Sequence, residues 1–354
     1  MGAKAIGPAR GAVFLLLVGS LPFVGVQHWV LNMLVFTLMY AAMSSAWNLV
    51  GGLAGYPSLG HAAFFGIGAY IEAIWFQHHS VVSGYEPFYL LPLVGIVGAV
   101  IGYPFALVAM RTRADVFAIV TITLLFVGQT LAFNLTGLTG GAQGLAIPPA
   151  PFSADSFERP YYLVLLLLLA IAMGVTWLTM RSKVGLSLSA VRADEDKAAA
   201  IGVHVGGVKM LTFCVSVGIT AMVGGVWAAY ESFIYPQFAF DPLITIGIVL
   251  MTFLGGRGTL WGPVLGAFVL ELAQQYLAYT LGGNEYYLIA YALVFLVVML
   301  LMPRGILPTL QARLRSRRRR RAMPDDPVAE PAPPPIGSAA DYAVSIPAPN
   351  GSER

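Results

Sequence analysis

YYLVLLLLLAIAMGVTWLTMRSK, residues 161–183, carries no charge until Arg181 and Lys183. At ~1.5 Å per residue, a helix over 161–180 spans about 30 Å, the hydrocarbon thickness of a bilayer. Arg159 stands just before it. Working outward, similar apolar stretches occupy 12–26, 29–50, 59–77, 88–110 and 115–135, then 210–230, 242–255, 262–281 and 286–303. Threaded alternately from a cytoplasmic N-terminus, they place every Lys and Arg except Arg159 on one side. Orientation follows Lys and Arg near segment ends rather than net charge, so the asymmetry supports both the segmentation and the handedness. Lipid cannot satisfy open backbone groups, so the spans must be helices. The expectation is an all-α polytopic membrane protein of about ten transmembrane helices, with both termini cytoplasmic.

Composition agrees. Charged residues make up 10% of the 354 and hydrophobic residues 58%, with a mean hydropathy of +0.76. A soluble domain carries about 25% charged residues. Little chain is left for an extramembrane domain. The expected division is a cytoplasmic N-terminus 1–11, a transmembrane domain 12–305 with a loop at 182–209, a polybasic segment 306–322 and a tail 323–354. Lys4 and Arg10 before the first stretch fit a signal peptide. No small-x-small site follows Val26, and a second stretch begins at once, so a retained helix is expected. Cys214 is the single cysteine, and packing is the expected role of a thiol in an apolar segment.

Asp241-Pro242 and Gly262-Pro263 each suit a helix start, since Asp accepts from free N–H groups and Pro needs no partner there. Beyond Arg304, the run Arg313–Arg321 is expected to touch anionic lipid. The Pro-, Ala- and Ser-rich tail cannot bury a core and is expected to be disordered.

The loop 182–209 is the one cytoplasmic loop with substance. Asp194, Glu195 and Asp196 precede Lys197-Ala198-Ala199-Ala200-Ile201, and Gly202 follows. Acids first, alanines within and glycine after describe a short helix. So few turns are marginal alone, so this helix needs something to dock on. Nowhere does the chain contain the Gly-x-x-x-x-Gly-Lys-Ser/Thr phosphate loop. ATP-driven transport would need a separate ATPase.

Several residues are candidates for a translocation path. The 39 glycines gather near Gly51–Gly68, Gly224-Gly225 and Gly255–Gly262. Small residues serve close helix packing, and they also permit interrupted helices. The segment Ser58-Leu59-Gly60-His61 is the leading candidate for such an interruption, either at the cytoplasmic end or re-entrant. His61 has no second His or Cys at metal-ligand spacing and is expected to hydrogen-bond within the bundle or line the path. Gln129 and Asn134 are polar enough to line a path or to bond internally. Glu72 and Glu271 fall within spans, where an ionised acid costs on the order of 3 kcal/mol, so each should face protein or water.

Four segments carry a family resemblance: NLVGGLAGYPSLGHAAFFGIGAY (48–70), LTGGAQGLAIPP (138–149), ADEDKAAAIGVHVGGVK (193–209) and GGRGTLWGPVLGA (255–267). In this order they resemble the permease subunits of branched-chain amino-acid ABC importers, in particular the M-type (LivM-like) subunit. The resemblance covers about residues 12–305. It implies a non-catalytic transport subunit in a bacterial-type inner membrane, without cofactors or metal, translocating branched-chain or related aliphatic amino acids by ATP-driven alternating access. It further implies a heterodimer with a second permease, two ATP-binding subunits, and a periplasmic solute-binding protein meeting 137–160 and 231–241. No nucleic-acid partner is implied. In such permeases a Glu-Ala-Ala…Gly loop inserts into the ATPase. Here Glu195, Ala199 and Gly202, with Asp194, match that pattern, although Asp196 and Lys197 separate the acid from the alanines. Relatives handling urea or short amides look similar. The alternative class is an ion- or proton-coupled carrier using Glu72 or Glu271 without an ATPase. A membrane-embedded enzyme lacks any clustered nucleophile, base or metal ligand.

Overall fold

The computed structural model describes residues 8–79, 81–109 and 111–281, with 292–293, 296, 300 and 305–310 beyond them. They belong to a unit ending at Leu310. The basic run Arg313–Arg321 and the tail lie outside the described residues, as does most of 286–303.

The helices are α1 (Pro8–Ser20), α2 (His28–Trp47), α3 (His61–His78), α4 (Glu86–Ala109), α5 (Ala114–Asn134), the single turn α6 (Thr136–Thr139), α7 (Glu158–Arg181), α8 (Lys183–Ala193), α9 (Glu195–Ala200), α10 (Val205–Glu231), the single turn α11 (Pro236–Ala239), α12 (Pro242–Gly255) and α13 (Gly262–Leu281). Two short strands, β1 (Leu145–Ala146) and β2 (Phe233–Ile234), pair antiparallel with Leu145 opposite Ile234. Among the described residues, 6 helices are long and apolar enough to cross a membrane. The chain is a predominantly helical polytopic membrane protein.

Most helix ends follow local chemistry. The Asp241 carboxylate accepts the Leu243 N–H at 2.8 Å, and Pro242 fills the first position of α12. The first apolar stretch is shorter than its hydropathy: α1 stops at Ser20 and a 3-10 turn covers Leu21–Phe23. Pro22 disfavours helix in the residue before it, and Gly25 takes φ +77°. Helix α8 is the element the sequence reading missed inside 182–209. It buries Leu188 and Val191 alone, too sparse a pattern to read as periodic.

Helix α3 is the centre of the bundle. It carries His61, Glu72 and His78, which make it too polar to stand in lipid, and it is buried instead against α10, α4 and α5. Its crossing with α10 is close because both helices present glycine. A Cβ at Gly68 would lie 2.0 Å from the Ala221 carbonyl oxygen, and one at Gly224 would lie 2.0 Å from that of Phe65. Without side chains there, the two backbones touch and dispersion replaces lipid contact. Trp47, Phe64, Phe65, Phe117, Phe213 and Tyr161 are among the largest fully buried side chains of the bundle.

Tertiary contacts sort the connections into two ends. One end joins 48–60, α8, α9 and 256–261. The other joins 84–85, 152 and the β1–β2 pair. The Lys and Arg of 181–197 and Arg257 belong to the first, called here the basic end. At Gly174 of α7 a Cβ would meet nothing within 4 Å. Leucine at Gly224 is therefore expected to cost about 1–3 kcal/mol through overpacking and to lower the melting temperature of the detergent-purified chain. Leucine at Gly174 is expected to leave it unchanged.

Candidate functional site

The basic end is built from two interrupted helices and one short helix. Beyond Trp47, α2 widens into a π-type turn over Asn48–Ala54, ends at Gly55 with φ +82°, and continues as irregular chain to Gly60. This link does not lie on the surface. Ser58, Gly60 and His61 are buried, and α3 begins well inside the bundle. Ser216, which bonds His61, lies about 16 Å along α10 from its start. The link therefore dips into the bundle rather than running along its end.

Every polar group of this interruption that carries a hydrogen bond finds it inside the protein. The Trp47 indole N–H donates to the Ser58 carbonyl at 2.7 Å. Leu59 N–H donates to the Thr121 hydroxyl at 2.9 Å, and Ala62 N–H donates to that of Thr245 at 2.8 Å. Ser216 donates to the Ala46 carbonyl at 2.7 Å, so its oxygen is left to accept from His61 Nε2 at 2.8 Å. The other ring nitrogen, Nδ1, pairs with the Ser58 hydroxyl at 2.9 Å. Gly60 leaves no room for a side chain, since a Cβ would fall 2.3 Å from the Thr121 carbonyl oxygen. His61 thus bonds within the bundle, and Ser58, Gly60 and His61 are all buried.

The other pathway candidates do not join them. Gln129 is half-buried and donates weakly to the Phe240 carbonyl at 3.5 Å. Asn134 is exposed and donates to Thr130 on its own helix at 2.8 Å. Glu271 is buried in α13, where one oxygen accepts from Gln275 at 2.8 Å. Glu72 is buried beside Gly225, Leu91 and Val94, on a different element from Glu271. Among the described residues no group of three or more His, Cys, Asp or Glu is placed to hold a metal ion.

The second interruption, 256–261 between α12 and α13, leans on the first. Asn48 accepts the Gly258 N–H at 2.7 Å and donates to the Thr259 carbonyl at 3.0 Å. Arg192 of α8 donates to the Gly52 carbonyl at 2.7 Å. A cavity of about 640 Å³ opens beside them, with Arg181, Lys183 and Arg192 on its walls. Sequence reasoning passed over Asn48, Arg192, Tyr56, Lys209 and Ser216 as site residues, although Asn48, Tyr56 and Lys209 lie within the quoted motifs.

Helix α9 is closed at both ends. Asp194 accepts the Lys197 N–H at 3.1 Å and pairs with its ammonium at 2.8 Å. Gly202 takes φ +88°, which lets its N–H reach the Ala199 carbonyl and that of Val203 reach Ala198. That double bond is the glycine-terminated C-cap, and it satisfies carbonyls a short helix otherwise leaves free. Ala198 is buried, while Ala199, Ala200 and Ile201 face outward, Ile201 77% exposed. Glu195 does not join that outward face. Its carboxylate accepts from Lys209 at 2.8 Å and from the Tyr56 hydroxyl.

A model of the family described as branched-chain amino acid transport system, permease component, matches residues 29–302. The chain belongs to this family. It is similar to the high-affinity branched-chain amino acid transport permease LivM of Salmonella typhimurium, 27% identical over 320 residues that cover 83% of this chain and 73% of that one. LivM of Escherichia coli is 26% identical over 327 residues, covering 85% and 75%. LivH of Salmonella typhimurium is 23% identical over 284 residues, covering 76% and 91%. No solved structure matches.

Two expectations follow for the permease. Replacing Ser216 by valine leaves His61 Nε2 buried without a partner, which costs about 1–3 kcal/mol and should lower the melting temperature in detergent. Serine-to-threonine at the same position, which keeps the hydroxyl, should cost less. The second concerns pH. Burial alone would raise the Glu195 carboxyl, but the hydrogen bonds from Lys209 and Tyr56, with the charges of Lys209 and Arg113, outweigh it and hold the pKa below its ordinary value. A depressed carboxyl contributes stability above its unfolded pKa, about 4.3, and loses it as pH falls through the folded value. Protection of amides 195–201, taken as hydrogen exchange relative to the intrinsic rate at each pH, should therefore be fullest at neutral pH and fall on acidification below the ordinary glutamate range. The Glu195→Gln variant should lose part of that pH dependence and keep the part set by the Asp194 cap.

Proposed function

We propose that the permease is one transmembrane subunit of an ABC importer for branched-chain or related aliphatic amino acids. In this reading about ten spans thread a bacterial-type inner membrane with both termini and the basic end cytoplasmic. A second, related permease completes the translocation unit, two ATP-binding subunits dock below it, and a periplasmic solute-binding protein delivers solute to 137–160 and 231–241. The polybasic run Arg313–Arg321 contacts anionic lipid. The chain performs no covalent chemistry.

The observation that carries the reading is α9. It is a doubly capped helix at the basic end with an outward face of Ala199, Ala200 and Ile201 and no apolar cover. A short apolar helix face suits a groove in a partner protein. Asp194 and Gly202 shape that helix, and Ala199 stands on its contact face. The energy for alternating access comes from ATP bound and hydrolysed on the partners. Membership in the permease family supports this class over a carrier that relies on Glu72 or Glu271.

The test is uptake of labelled leucine into vesicles holding this permease with its partner permease, ATPases and binding protein. Uptake is expected to require ATP and the binding protein and to survive a protonophore. Uptake that follows the proton gradient and ignores ATP would establish the carrier. Hydrolysis stimulated by urea or a short amide, and not by leucine, would reassign the substrate. Ile201→Asp should reduce ATPase co-purification by about tenfold or more, as expected for an apolar anchor at an interface.

A further inference from the structure

The inner side of α9 is held by a single carboxylate whose partners stand on separate elements. Glu195 Oε1 accepts from Lys209 Nζ of α10 at 2.8 Å, and Oε2 accepts from the Tyr56 hydroxyl in the link before α3. The Lys209 ammonium also lies 4.0 Å from the centre of the Tyr56 ring. Lys209 is 1% exposed and Tyr56 5%, so neither can turn to water if Glu195 withdraws. No other carboxylate pairs with Lys209 among the described residues. Arg113, at the start of α5, adds its positive charge to this cluster, and Asp196 its negative one.

From Tyr56 the packing continues inward. Its ring meets Phe117 edge-on at 5.8 Å, Phe117 meets Phe213 at 5.9 Å, and Phe213 meets His61 at 6.2 Å. One end of the cluster is therefore an exposed helix, and the other is the buried point where α3 begins. Pulling α9 away alone would leave a buried ammonium unpaired, which is strongly unfavourable. Displacement of α9 is easier if α10 and the 55–61 interruption move with it.

We propose that Glu195, Lys209 and Tyr56 are positioning residues that carry motion of α9 into α10 and into the interruption between α2 and α3. The inference rests on the reading of α9 as the ATPase contact. The outward face of α9 docks, and its inward carboxylate transmits. These residues then set how much solute is moved for each ATP hydrolysed.

The experiment measures leucine uptake and ATP hydrolysis in the same vesicles of the complete complex, with ATPase co-purification and melting temperature recorded for each variant. Glu195→Gln and Lys209→Met are each expected to keep the ATPase bound while uptake per ATP falls about tenfold, within the usual range of coupling free energies. The double variant should fall no further than the worse single one, because the two act as a unit. Lys209→Arg should keep most of the ratio. Tyr56→Phe, which deletes one hydroxyl, should lower it by less than either charge variant. An unchanged ratio in Glu195→Gln and Lys209→Met with the ATPase still bound overturns the proposal and leaves the docking reading standing. A fall in uptake and hydrolysis in step with melting temperature also overturns it, since a structural contact behaves that way. Failure of the unsubstituted chain to hold the ATPase removes the docking reading and this inference with it.

Discussion

The Asn48 carboxamide joins two interrupted helices, accepting from Gly258 and donating to Thr259. An interruption frees backbone donors and acceptors that lipid cannot satisfy, so each one must be answered by protein. The permease answers the breaks with each other. The π-type turn after α2 and the link before α13 share Asn48, and Arg192 closes the Gly52 carbonyl from a third side. The buried start of α3, the position of α8 and the approach of α9 all follow from that junction.

The same constraint explains the hydrogen bonds of the buried polar side chains around the interruption. Ser58, His61, Ser216, Thr121 and Thr245 are the residue types expected to line a solute path. Each is engaged with a neighbour or a backbone group that the interruption exposes. A helix that starts inside a bundle needs such a collar, and the collar is polar because peptide groups are. Polarity within a span therefore marks either a path or a broken backbone, and composition alone does not separate them.

At the other extreme of scale, the α3–α10 crossing depends on what is missing. Gly68 and Gly224 let two backbones meet where a methyl group would collide with a carbonyl. This fixes the depth and rotation of α3 against α10, so that Phe213 and Ser216 of α10 face Phe117 and His61. The aromatic line from Tyr56 to His61 is a consequence of that closeness. Helix α9, the Glu195–Lys209–Tyr56 cluster and the buried interruption are thus parts of one packed column from the basic end to the middle of the bundle.

Much of this was legible in the chain itself. Apolar runs bounded by Lys and Arg determined the helical membrane class, because bilayer thickness and charge placement act on local sequence. Asp241-Pro242, and Asp194 with Gly202, determined the ends of α12 and α9, because capping is a matter of a few neighbouring residues. The four motifs marked the segments that matter. Only the tertiary structure decided why they matter. Asn48 of the first motif bonds Gly258 of the fourth, and Tyr56 of the first bonds Glu195 of the third, pairs separated by up to 210 positions. The inward turn of Glu195, the burial of Lys209 and the buried course of the link before α3 are decided by which helices touch. That depends on side-chain volume and hydrogen-bond geometry across the bundle, which no local window of sequence contains.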